Sequence, residues 1–133
     1  MKVKDLFLPR TLIYGHYLVL CTQEKMFHDL LNYIDLPKGG WPKWVNTGAN
    51  ATTHTIDHDG KSICVVCLPK PPEGVTNIQV AGVLVHEAVH VWQRNMDSIG
   101  EDNPSAEFEA YSIQMIAQNL MEAYVEQTIG TQK

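Results

Sequence analysis

The segment His86-Glu87-Ala88-Val89-His90 places two histidines four residues apart. On a helix that spacing puts both rings on one face, where each can turn a nitrogen toward a single Zn²⁺. Glu87 then stands beside the metal. A carboxylate in that position can take a proton from a water whose pKa the metal has lowered to about 7, and pass it to a leaving amine. The chemistry expected of such a set is metal-assisted hydrolysis with Glu87 as general base. The competing reading is a buried helix with two satisfied core histidines. The helical context and a candidate third ligand weigh against it.

Two histidines leave a tetrahedral zinc site that also holds water one protein ligand short. Glu107 and Glu109 are the candidates. Two residues apart, they lie about 200° around a helix axis from each other and cannot both face the metal. Glu109 shares its face with Ile113, Ile116 and Leu120, an apolar stripe expected to turn toward the core, whereas Glu107 shares its face with Gln114 and Gln118. Glu109 is therefore assigned as the third ligand, with Glu107 as the alternative. The longer zinc motif with a glycine three residues and a histidine six residues past the second His finds Gln93 and Met96 instead, and the variant with a histidine five residues on finds Asn95.

The elements that must position these residues are legible in outline. Thr76-Asn77-Ile78-Gln79 has the form of a capping box and opens a helix expected to run to about Met96. Its residues are apolar nearly all round, so the sequence predicts a central buried helix in which His86, Glu87 and His90 have no solvent face. Burying them without partners would cost several kcal/mol in total, a difficulty that a bound metal removes. Asn103-Pro104 is expected to cap a further helix extending to about Gln127. Upstream, Thr22 is the expected cap of a helix over 23–34, where Met26, Leu30, Leu31 and Ile34 repeat at helical spacing.

Residues 52–56 and 61–68 are β-prone, and the intervening His58-Asp59-Gly60 predicts a hairpin whose second, more apolar strand lies inside. Pro69, Pro71 and Pro72 end it. The loop Pro37-Lys38-Gly39-Gly40-Trp41-Pro42 cannot continue a helix, and Trp41 and Trp44 are expected to anchor it. His54 and His58 read as surface residues rather than ligands. Cys64 and Cys67 have CxxC spacing, yet residues three apart on a strand point to opposite faces, so they read as core cysteines.

At 133 residues and 44% hydrophobic content, the chain is expected to form one domain, residues 1–133, around one modest core. A net charge of −5 without a basic cluster argues against nucleic acid or anionic membrane as partners. Lys2 and Lys4 precede an apolar stretch as in a signal peptide, but Pro9, Arg10 and His16 interrupt it and no small-x-small cleavage site follows. The run 78–92 contains His86, Glu87 and His90 and is too polar to span a bilayer. With three cysteines, an odd number, a soluble protein of the reducing cytoplasm is expected.

A helical HExxH followed, nineteen residues past His90, by Glu109-Ala110 resembles the gluzincin branch of the zinc metallopeptidases, the thermolysin-like group. The short chain is similar to its minimal members. Segments 86–93 and 100–114, with Glu107-Phe108-Glu109-Ala110-Tyr111, also resemble small phage-encoded zincin-like proteins. The resemblance spans residues 52–120. It implies an α+β, zincin-like fold: a small antiparallel sheet packed on a central HExxH helix, with a second long C-terminal helix carrying the third ligand. It also implies Zn²⁺ on His86, His90 and Glu109, a peptide or protein substrate, and an edge strand within 61–68 that pairs with an extended peptide. The thermolysin group has an Asp four residues after the Glu ligand, where this chain has Ile113. That departure leaves room for a non-catalytic or weakly active zinc-binding scaffold, or for a hydrolase of bonds other than peptides. Tyr111, Tyr124, His54 and His58 are the candidates for stabilising an oxyanion.

Overall fold

The computed structural model describes residues 2–9 and 16–129, so Arg10 of the signal-peptide argument lies outside the described residues. After a 3-10 turn at Val3–Leu6 come strand β1 (Tyr17–Cys21), helix α1 (Glu24–Tyr33), a second 3-10 turn at Lys38–Gly40, and strands β2 (Thr52–His58) and β3 (Lys61–Cys67). Two long helices follow, α2 (Asn77–Ile99) and α3 (Ala106–Thr128). The architecture is α+β, with a three-stranded sheet in the order β1-β3-β2.

The hairpin forms as its turn chemistry dictates. Asp59 and Gly60 both adopt positive φ, 56° and 75°, the pair of left-handed residues that a two-residue hairpin loop requires. β2 and β3 pair antiparallel from Thr52↔Cys67 to His58↔Lys61. The expectation of a purely antiparallel sheet is corrected by β1, which pairs parallel to β3 in the register Tyr17↔Ile63 to Cys21↔Cys67. A parallel neighbour needs a long connection, and α1, the loop after it and β2 together supply one. In the sequence Tyr17–Cys21 reads only as part of an apolar N-terminal stretch.

β3 is thus the central strand, buried on both faces, which is why Ile63, Cys64, Val65, Val66 and Cys67 run together without polar alternation. Leu18, Leu20, Cys64 and Val66 face a core shared with α2 and α3. Val19, Cys21, Ile63, Val65 and Cys67 face a second core with Phe27, Leu30 and Leu31 of α1. Each fully buried Val or Leu contributes about 1.5–3 kcal/mol of apolar transfer. Trp41 and Trp44 pack onto the α1 side, and the Trp41 indole donates to the Leu36 carbonyl at 2.8 Å.

Helix starts match the sequence in one case and differ in two. The α2 capping box is present: Thr76 Oγ1 accepts from Gln79 N–H at 3.1 Å, and Gln79 Oε1 accepts from Thr76 N–H at 2.8 Å. α2 runs past Met96 to Ile99 and stops at Gly100, whose left-handed φ of 71° closes it. At α3 the cap is Ser105 rather than Asn103, its hydroxyl accepting from Phe108 N–H. Gln23 rather than Thr22 precedes α1. The Thr22 hydroxyl instead donates to Gln127 Oε1 at 2.8 Å, and Gln127 Nε2 donates to the Leu20 carbonyl, so the end of α3 is pinned to β1.

The largest correction concerns α2. It is amphipathic, not buried all round: Val80, Leu84, Ala88, Val91 and Trp92 face the core, while Ile78, Gly82, Val85 and His86 are exposed. The sheet and α3 cover the core-facing side and leave a stripe open. Of the three chemical residues only Glu87 is buried, at 4% exposure. Among the described residues no helix is long and apolar enough to cross a membrane.

Candidate metal centre

One turn of α2 brings the two histidines together. His86 Nε2 and His90 Nε2 stand 3.2 Å apart, with ring centroids 4.8 Å apart and the ring planes near perpendicular. Two nitrogens each about 2.0–2.1 Å from a tetrahedral Zn²⁺ would stand about 3.3–3.4 Å apart, so the spacing fits a shared ion. Without a proton or cation between them, two imidazole lone pairs at this distance would repel. His90 Nδ1 lies 3.3 Å from Gln93 Oε1. With the proton on Nδ1, that contact leaves Nε2 as the free donor, the arrangement an outer partner imposes on a ligating histidine. Gln93 thus supports His90 from the same helix, one turn on.

Glu87 completes the group. The donor atoms of His86, Glu87 and His90 lie within 4.8 Å of one another, and no other such group of His, Cys, Asp or Glu exists among the described residues. The Glu87 carboxylate enters from the buried side of α2, where Oε1 accepts from the Thr53 hydroxyl at 3.1 Å. Thr53 was not singled out in the sequence. Alternation along β2 sets Thr53 and Thr55 on one face and His54 and Ile56 on the other. Only the pairing of Thr53 with Val66, whose side chain faces the α2 core, shows which face meets the helix.

Glu109 lies outside the group. It is exposed on the first turn of α3, and its Oε2 accepts from the Trp92 indole N–H at 3.0 Å. Ile116 and Leu120 are buried and Ile113 is half-buried, so the stripe faces the core as the periodicity implies, but its N-terminal end emerges where the helix begins. Glu107 is exposed, as are Gln114 and Gln118. Trp92 is a core residue, 2% exposed, packed edge-on against Phe108.

The other candidates disperse. His54 stacks on Phe27 with centroids 5.1 Å apart and has Nε2 at 3.1 Å from the Trp44 carbonyl oxygen, on the α1 side of the sheet. His58 ends β2 at the hairpin turn. Tyr111 is 65% exposed, and Tyr124 is half-buried near the far end of α3. Cys64 and Cys67 point into different cores and are free thiols, as their strand spacing implied. Burial pushes the Cys21 thiol up to about 12 and the Cys64 thiol to about 11. Burial raises Cys67 as well, helped by Cys21 and Glu87. Thiols so raised stay protonated at neutral pH and are poor nucleophiles and metal ligands.

A cleft of about 490 Å³ opens onto the group, lined by Ala49, Asn50 and Ala51 ahead of β2 and by Gln79, Gly82, Val83, His86 and Glu87 of α2. The strand beside it is β2. The expectation that the substrate-pairing edge lies within 61–68 is therefore corrected, because β3 is hydrogen-bonded on both sides and has no edge to offer. The arrangement can bind a divalent cation through two imidazoles and place a buried carboxylate next to it. Compared with known proteins, the chain matches no protein-family profile, no curated protein and no solved structure.

Proposed function

We propose that this protein is a zinc-dependent hydrolase of peptide bonds, with His86 and His90 as metal donors and Glu87 as general base. The observation that carries the reading is the convergence of the two Nε2 atoms at 3.2 Å beside a buried carboxylate that lies within 4.8 Å of both. Bound there, Zn²⁺ supplies Lewis acidity toward a carbonyl oxygen and acidifies water. Glu87 takes the proton from the attacking water and delivers it to the departing amine nitrogen. Its burial excludes bulk water from that side, and the Thr53 hydroxyl engages Oε1 and leaves Oε2 for the proton. In this reading Glu109, whose Oε1 the Trp92 contact leaves open, becomes the third protein donor by turning toward the histidines from its place outside the group. An extended peptide would lie along the outer edge of β2, above the cleft.

A second reading, a zinc-binding scaffold without activity, draws on the position of Glu109 against Trp92 and outside the histidine group. Glu87→Gln separates the two. In the enzyme reading the variant keeps its zinc by elemental analysis and loses about 10²–10⁴-fold in cleavage of a mixed peptide library, the usual contribution of a general base. Zinc-loaded wild type that cleaves nothing in the library would decide for the scaffold, and a variant as active as a cleaving wild type would remove Glu87 from the role of base.

A further inference from the structure

Donors that share a tetrahedral zinc stand about 3.3 Å apart. The Glu87 carboxylate is within 4.8 Å of both histidine donors, so it needs to move by only an ångström or two to become a ligand itself. A ligated carboxylate is no longer a base. Something has to hold it back, and among the described residues the one hydrogen-bonding partner of Glu87 is the Thr53 hydroxyl, donated from β2 on the opposite wall at 3.1 Å. We propose that Thr53 is a positioning residue that keeps Glu87 off the metal, so that the edge strand decides whether this carboxylate works as a base or closes the coordination sphere.

Three features of the fold make Thr53 suited to this. It lies on a strand whose register is locked to β3 by continuous pairing from Thr52↔Cys67 to His58↔Lys61, so its hydroxyl cannot follow a movement of α2. The β-branched side chain is stiff at χ1, which fixes the direction of the donor. Its neighbour on the same face, Thr55, is exposed and among the described residues makes its only near polar contact with the Cys64 sulfur, so no second hydroxyl replaces it. The inference rests on the reading of His86 and His90 as metal donors, but not on any particular substrate.

The test uses Co²⁺, whose visible absorption reports coordination number and donor set. Thr53→Val removes the hydroxyl with little change of shape, and Thr53→Ser retains a donor. In Thr53→Val the cobalt spectrum should shift toward a higher protein-ligand count, and the metal should bind about tenfold more tightly, the size of effect that ligand-supporting contacts have on metal affinity. Thr53→Ser should keep the wild-type spectrum. In the double variant Thr53→Val/Glu87→Gln the gain in affinity should vanish. A Thr53→Val spectrum and affinity equal to wild type would overturn the positioning role while leaving the metal centre intact. Failure of the wild-type protein to take up cobalt, with His86→Ala behaving identically, would overturn the metal reading and this inference with it.

Discussion

The Trp92 indole N–H reaches across from α2 to donate to Glu109 Oε2 at 3.0 Å, tying the first turn of α3 to the helix that carries both histidines. Trp92→Phe keeps an aromatic ring in the pocket but deletes the donor to a carboxylate and part of the ring volume, and should cost about 2–4 kcal/mol of stability. Trp92→Ala empties a site that is 2% exposed and should cost about 3–5 kcal/mol. With Glu109 as third donor, Trp92→Phe should also weaken zinc binding by about 10–100-fold, since the indole orients the carboxylate. Competition against a chromophoric chelator measures this. An unchanged affinity in both Trp92→Phe and Glu109→Gln would leave the contact a purely structural tie.

Metal removal should be visible in stability as well as in content. The purified protein should carry one zinc per chain, lost in His86→Ala and in His90→Ala. At a free zinc concentration 100 times its dissociation constant, binding adds about 2.7 kcal/mol to the folded state, so chelation should lower Tm. The same chelator should leave the Tm of His86→Ala where it was. Equal shifts in both proteins would place the metal elsewhere.

The three buried thiols make stability sensitive to alkali. Their folded-state values lie above the ordinary thiol value of 9.0, at about 12 for Cys21 and about 11 for Cys64, because burial disfavours the thiolate. The unfolded chain therefore releases these protons first. Stability from this source is fully present below about pH 9 and falls as pH rises from there through the folded-state values. Thermal melts between pH 7 and 11 should show that decline, and Cys21→Ala, destabilised throughout by its cavity, should show a shallower alkaline slope. In the native protein at pH 8 a thiol reagent should react with none of the three until denaturant is added.

Gly60 sits at φ 75° in the turn between β2 and β3, and a Cβ built there meets no atom within 4 Å. Gly60→Ala should therefore cost about 1–2 kcal/mol through backbone strain alone, with no steric clash to add to it. Denaturant melts should show a lower midpoint and an unchanged m-value. Because β2 carries Thr53, a loss much larger than this would indicate that the hairpin register itself had shifted.

Local chemistry carried much of this protein into view from the residues alone. The capping box at Thr76 and Gln79, the Asp59-Gly60 hairpin, and the opposed faces of Cys64 and Cys67 all depend on neighbours within a few positions. So does the pairing of His86 with His90, which the pitch of one helical turn dictates. Relationships between elements were decided by the tertiary structure. That β1 joins in parallel, that β3 has no free edge, that α2 keeps an open stripe along His86, that Thr53 meets Glu87, and that Glu109 rests on Trp92 all depend on which faces pack together. Periodicity states that a face exists, but the choice of its neighbour is made by the packing of the whole chain around a shared core, where contacts between distant residues outweigh any local preference.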